Sequence, residues 1–434
     1  MSLKIKHLNG DTTFLLTFSP ADHRPALNRY GHPPGTFSVL VDPWLSGPSS
    51  MWHPKFLLSK HTVPSCISNL SQIPEPNVVL VSQDKPDHCH EPTLRQLDPT
   101  SGLTNVLAIP AAAKKIRGMK HFHPSRVHAL PAYSSKDEDS IVRFYIPPLT
   151  SGGTSGEATI AYVPAKMDVS GLHNAIGITY RPPTAAPFLS QYSPPLSTCS
   201  NFSFPNPQQY RLNNMPPTPP ETPIQRPRTL SVSTNPSTIS TASSTSPAMS
   251  QTSSASTAPS TAHSLHAHSP SFHSPSFHTH THTHTHTHST SSTNSNHHPR
   301  PAKTLSVIYS PHGLTYSPYL SHYATTHLVP QAALPLTTLI HGFDRVENPW
   351  YMGGNVNAGL PGGVEIAKNL MARCWIGAHD EDKENSGVSV LKIRMRKYGL
   401  NEVRELVRRE WSGGGGGGCE VRALDCGEEL VMRS

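Results

Sequence analysis

Between about Pro182 and Lys303 the chain loses hydrophobic periodicity and runs through Ser, Thr, Pro and His, including six His alternating with Thr from His278 to His288. A stretch this polar cannot bury enough apolar surface to offset the entropy of ordering it, so residues 182–303 are expected to be disordered. The flanks of the tract constrain the fold. Ile176, Ile178 and Tyr180 alternate before it, and Leu305, Val307 and Tyr309 alternate after it. Two such runs predict the strands of one hairpin whose turn has swollen into a long insertion. Loop-closure entropy rises only logarithmically with length, so a surface hairpin carries such an insert with little loss of stability. One domain, split over residues 1–181 and 304–410, is therefore expected rather than two.

Within those limits the chain reads as rich in strands. They are expected near Leu3–His7, Thr12–Phe18, Phe37–Val41, Asn77–Ser82, Asn105–Ile109, Arg126–Leu130, Ile141–Ile146 and Ala158–Val163. Helices are expected at Glu91–Leu97, Ala111–Met119, Gly363–Arg373 and Asn401–Arg409. Strands alternating with short helices predict an α/β sandwich or layered sheet. After about Ser412 a run of six Gly and a mixed tail predict a linker and a flexible terminus over 411–434.

Bulk properties narrow the function. The 35 Lys+Arg against 28 Asp+Glu give a net charge of +7, but the basic residues are scattered, with short clusters only at 392–397 and 404–409. No nucleic-acid partner is indicated. Six Cys are spread thinly without a CxxC, so reduced thiols are expected. The start, MSLKIKHLNGD, has no apolar stretch, and no window approaches ~18 consecutive apolar residues. A soluble protein of the cytoplasm or nucleus, with no transmembrane segment, is expected.

Polar clusters lie at the expected ends of strands, where loops hold functional residues on a rigid scaffold. They are "VDPWLSGP" with Asp42, "SQDKPDHCH" over 82–90, "SPHG" with His312 and "WIGAHDEDKE" with His379; "GLHNAIGITY" places His173 just before a strand. Each alone reads as an ordinary solvated loop. Their order, together with "DPWLSGPSSMWHP" and the His-Asn-strand pattern, resembles the metallo-β-lactamase superfamily. The branch of L-ascorbate-6-phosphate lactonase and N-acylphosphatidylethanolamine phospholipase D is the nearest. The resemblance implies an αββα sandwich, covers most of the part expected to fold, and implies metal ligands in one cleft.

The family signature is His-x-His-x-Asp-His after a strand, and the matching positions here are Gln83, Lys85, Asp87 and His88. The first two His are missing and the Asp-His pair stands. What the resemblance implies for a first metal site is thereby reduced to His173, and one imidazole cannot hold a zinc that takes about four ligands. For a second site it leaves Asp87, His88 and His379, with His312 where the family carries a bridging carboxylate. Three protein ligands and an open position suit one catalytic divalent ion, zinc being expected. In this reading Asp87 and His312 serve catalysis as well as the metal. Asp42 orients ligating His, Lys85 fills the vacated cationic volume, and His173 is free to hydrogen-bond substrate.

The function expected is hydrolysis of a small ester, lactone or phosphoester. Two alternatives stay open: a catalytically inactive binding or regulatory module, and a metal-buffering protein in which the His tract matters. The insert also carries Thr-Pro pairs at Thr218 and Thr222 and "RPRTLSVS" over 226–233, patterns open to kinases and protein partners.

Overall fold

The structure is a computed structural model that describes residues 1–21, 27–28, 30–166, 168, 170–185, 303–352, 354–411 and 418–434. The chain opens with β1 (Ser2–His7), β2 (Phe14–Ser19) and β3 (Phe37–Val41), followed by the small pair β4 (Ser49–Met51) and β5 (Leu57–Lys60). Next come β6 (Val78–Val81), α1 (Glu91–Leu94), β7 (Asn105–Ala108), α2 (Pro110–Gly118) and β8 (Val127–Ala129). An antiparallel run of β9 (Ile141–Ile146), β10 (Gly156–Pro164) and β11 (Asn174–Arg181) leads to the insert. Beyond it lie β12 (Leu305–Tyr309), α3 (Ser321–Tyr323), β13 (Thr338–Ile340), β14 (Arg345–Glu347) and β15 (Asn355–Asn357). The chain continues through α4 (Gly359–Asn369), β16 (Cys374–Ile376), β17 (Glu384–Ser386), β18 (Arg394–Arg396) and α5 (Leu400–Trp411). It closes with β19 (Glu420–Arg422) and β20 (Glu429–Arg433).

Two seven-stranded sheets result, ordered β20-β1-β2-β3-β6-β7-β8 and β19-β16-β13-β12-β11-β10-β9. Leu3, Ile5, Phe14 and Leu16 of the first share one buried cluster with Ile160, Ile178, Tyr180 and Val307 of the second. The Phe18 and Tyr180 rings stack across the two sheets with centroids 5.5 Å apart. On the other side of the second sheet, Ile308, Leu339 and Trp375 pack with Leu360 and Ile366 of α4 and Val403 and Val407 of α5. On the first sheet, α2 buries Ala112, Ala113 and Ile116. The architecture is thus an α/β sandwich. Each apolar strand face is covered by the opposite sheet or a helix, which is what period-2 patterning requires.

The strands on either side of the insert pair antiparallel, with Ile176 opposite Tyr309, Ile178 opposite Val307 and Tyr180 opposite Leu305. This is the pairing that the flanking alternation predicts. The insert itself, including the His tract and Thr218 and Thr222, lies outside the described residues over 186–302.

Two expectations need correction. Residues 418–434 are not a flexible tail: β19 pairs parallel with β16, and β20 pairs antiparallel with β1, so the terminus edges both sheets. Val421, Leu424 and Met432 are buried there. Only residues separated by polar neighbours carry this burial, and two three-to-five-residue strands show too little alternation to stand out. The helix expected from Gly363 begins one turn earlier, at Gly359, because Asn357 Oδ1 accepts the Gly359 N–H at 3.1 Å. Gly363 is tolerated inside it for packing: a Cβ there would lie 2.1 Å from Cζ2 of Trp375.

Four parallel pairings, β3 with β6, β6 with β7, β12 with β13 and β13 with β16, point the C-terminal ends of these strands the same way within each sheet. Loops leaving the C-terminal ends of parallel strands are where α/β sheets gather functional groups. Among the described residues no helix is long and apolar enough to cross a membrane.

Candidate metal centre

Asp42 follows β3, Ser82 and the Asp87-His88 pair follow β6, His312 follows β12, and His379 follows β16. Asp42 and His379 sit in the left-handed region, at φ 41° and 64°, where a residue with a Cβ is held only by surrounding contacts. Those contacts are dense. The fully buried Asp42 carboxylate accepts the Ser82 N–H at 2.7 Å, the Ser82 hydroxyl at 2.5 Å, the Tyr309 hydroxyl at 2.6 Å and the His88 Nδ1–H at 2.7 Å. Burial and the Asp42 charge push the Tyr309 phenol well above its ordinary range, so it serves as a donor.

Three imidazoles converge: the ligand atoms of His88, His312 and His379 lie within 4.8 Å of one another, a group that can hold a metal ion. In each, Nδ1 is committed elsewhere. That of His88 donates to Asp42, that of His312 to the Val356 carbonyl at 3.0 Å, and that of His379 to the Asp11 carboxylate at 2.9 Å. The three Nε2 atoms are left to face a common centre. His88 Nε2 and His312 Nε2 are 3.0 Å apart, near the ~3.3 Å that two nitrogens around one tetrahedral ion adopt. Asp87 Oδ2 lies 4.0 Å from His88 Nε2 and 3.9 Å from His379 Nε2. Imidazoles whose Nδ1–H is fixed by a carboxylate or carbonyl are oriented and made more basic at Nε2, the arrangement found behind metal-ligating His. The donor set therefore fits a divalent ion.

Electrostatics favour His312 as a neutral donor. Burial, followed by the charges of His379 and His88, holds His312 well below its ordinary value, so it is neutral with a lone pair to give. Burial opposes protonation of His88, but the charges of Asp87 and Asp42 outweigh it and raise its pKa.

Two residues that the sequence reading missed complete the site. Asp11, in the turn between β1 and β2, is fully buried and accepts from both His379 and Lys383, whose Nζ lies 2.8 Å from Oδ2. The Lys383 Nζ also lies 3.1 Å from His379 Nδ1 and 4.0 Å from Asp87 Oδ2, with its side chain 10% exposed. Lys383 thus sets an ammonium beside this cluster. Lys85 Nζ lies 3.0 Å from Asp84 Oδ1. Neither missed residue lay in a recognisable motif; the only signal was a Lys four positions after His379. The His173 ring lies between two loops, with Nδ1 3.0 Å from the Gly313 carbonyl and Nε2 3.0 Å from the Asn355 carbonyl, and a neutral imidazole donates to one of them. Cys89 belongs to the core, where burial pushes its thiol up to about 12.

No family model matches this chain, and no curated protein matches it. Among solved structures, an isothiocyanate hydrolase from Delia radicum gut bacteria is similar over 99% of this chain and 100% of that one, with 9% identity and a TM-score of 0.42. A likeness so loose says nothing of the reaction.

The Asp11–Lys383 pair yields a prediction. Burial alone would raise the Asp11 pKa, but His379 and Lys383 overcome it and hold the carboxyl well below the carboxylate range. A group depressed in the folded state stabilises above its unfolded pKa of ~3.9, and that stability is lost as pH falls through the folded value. Lys383→Met, which removes the ammonium from the buried carboxylate and leaves it His379 as its side-chain partner, is expected to cost about 3 kcal/mol at neutral pH. It should also move the acid-unfolding midpoint to higher pH. Urea titrations read by circular dichroism at pH 7 and pH 3 test both, and equal losses at the two pH values would refute the assignment.

Proposed function

We propose that this chain is a hydrolase of a small ester, lactone or phosphoester that works with one divalent metal ion, zinc being the natural choice for a nitrogen-rich set. The observation that carries the reading is the convergence of three Nε2 atoms, each on an imidazole anchored through Nδ1, with Asp87 beside them. The resemblance drawn from the motifs agrees with it. His88, His312 and His379 would hold the ion, with Asp87 as the adjoining carboxylate. A single ion is favoured because Lys383 stands against Asp11 and Asp87, His173 faces two backbone carbonyls and lies outside the three-His cluster, and Gln83 gives its amide to the Leu172 carbonyl at 2.8 Å.

When bound, the ion supplies a Lewis acid for a carbonyl or phosphoryl oxygen and lowers the pKa of water towards neutrality. The chain's own groups do the rest. Asp87 is partly exposed and, against its burial, is held ionised by His88, Lys383 and His379, so it can take a proton from attacking water. Asp42 keeps His88 in one tautomer and orientation. Lys383 neutralises charge next to Asp87 without occupying a ligand position.

The test is turnover of a p-nitrophenyl ester, an aromatic lactone and bis-p-nitrophenyl phosphate by full-length protein, before and after chelation and zinc return. At least one substrate should be hydrolysed with zinc only. Asp87→Asn should lower that rate by about 10²- to 10⁴-fold while zinc stays bound. Bound zinc with no turnover of any of the three would favour the inactive binding module instead.

A further inference from the structure

Trp52, Trp350 and Leu391 are 86%, 87% and 84% exposed, on three separate segments. Those segments touch. Val388 and Ser389 donate backbone N–H groups to the carbonyls of Lys55 and Phe56, at 3.0 and 3.1 Å, and the Trp52 ring lies 4.7 Å from that of Phe56. Lys392 Nζ lies 3.2 Å from the Tyr351 hydroxyl, and the Tyr351 ring meets Trp350 at 5.9 Å. The bend at 52–56, the turn at 350–351 and the loop 387–393 therefore form one continuous face. Trp52 is held outward with φ at 60°, a conformation a bulky residue rarely keeps.

Charge on this face is one-sided. Lys60, Arg345, Arg396 and Lys397 have carboxylate partners, but among the described residues Lys55, Lys392 and Arg394 have none within ion-pair distance. Exposed Trp and Tyr interleaved with unneutralised Lys and Arg match the headgroup layer of an anionic bilayer, which takes amphipathic rings and cations together. An apolar patch of this kind marks an interaction site on a protein that otherwise buries its large apolar groups.

We propose that this face docks the protein on an anionic lipid surface. The same segments carry the metal centre's supports: Asn355 and Val356, just after the Trp350 turn, hold His173 and His312, and Lys383 precedes β17. Docking would bring the candidate cleft to the lipid interface. The inference does not depend on the hydrolase reading.

The experiment is vesicle flotation of the full chain with phosphatidylcholine alone and with phosphatidylcholine plus phosphatidylserine. Wild-type protein is expected to float with the mixed vesicles and not with the neutral ones. A Trp52→Ser/Trp350→Ser/Leu391→Ser variant should lose at least roughly tenfold in binding. Lys55→Glu/Lys392→Glu/Arg394→Glu should lose it as well, more steeply at low salt. All six side chains lie at the surface, and an unchanged melting temperature checks the fold. His88→Ala/His379→Ala protein should float like wild type, which separates this face from the metal centre. No flotation of wild type, equal flotation with neutral vesicles, or full flotation of the triple variants would overturn the proposal. A wild-type dimer that the variants dissociate, without vesicle binding, would overturn it in favour of self-association.

Discussion

Protein carrying His88→Ala and His379→Ala is expected to lose its zinc, from about one equivalent to none after dialysis, measured by mass spectrometry of the metal. Removing two of three convergent Nε2 donors leaves His312 and a carboxylate, too few for a site that takes about four ligands. Each single variant should weaken binding by at least ~10-fold, since even the groups behind a ligand are worth that much. His173→Ala is the contrast. Its ring nitrogens lie against the Gly313 and Asn355 carbonyls and outside the three-His cluster, so its loss should leave the metal content unchanged. His88→Ala also strips the buried Asp42 of a donor, so circular dichroism must accompany the assay. His379→Ala likewise strips the buried Asp11 of a donor, so the same control applies to it. Metal retained by the double variant would sink the reading of this cluster as the site.

Truncation after Trp411 is expected to destabilise the fold by about 5 kcal/mol, taking ~1.5–3 kcal/mol for each of Val421, Leu424 and Met432 and discounting for residual burial in the unfolded chain. That is a large share of the ~5–15 kcal/mol by which domains are stable. It corresponds to a fall of ~10–20 °C in melting temperature for a domain of this size. Backbone pairing adds to the loss. Without the terminus, His7 Nδ1 loses the Leu424 carbonyl at 2.7 Å, and the Gly377 N–H loses the Arg422 carbonyl at 2.9 Å. The edges of β1 and β16 would then be open to pairing with other chains. A truncated protein that melts like the full chain would show that β19 and β20 are dispensable.

Most of the scaffold was legible from alternation. Nine of the eleven strands before the insert, all but the short β4 and β5, and the pairing across it could be read from short apolar or alternating runs bounded by turn residues. The C-terminal strands escaped because a Gly run precedes them and because they gain stability from partners more than 40 residues away in sequence. The site was half legible. Asp42, Asp87, His88, His312 and His379 announce themselves as polar residues at strand ends. Asp11 and Lys383 do not, since a buried ion pair is made by two loops that only the fold brings together. Lys85 pairs with the adjacent Asp84 in the loop after β6.

The pairing of Ser2 with Arg433 and of Leu3 with Met432 has a consequence for the rate of folding. One edge of β1 is completed only by a strand more than 400 residues away in sequence. The second sheet waits likewise, because β12 comes more than a hundred residues after β11. Such long-range pairings fold slowly and expose strand edges while they wait. Refolding of this protein should therefore be slow, and its sheets should stay open to chaperones until β12 and β20 have paired.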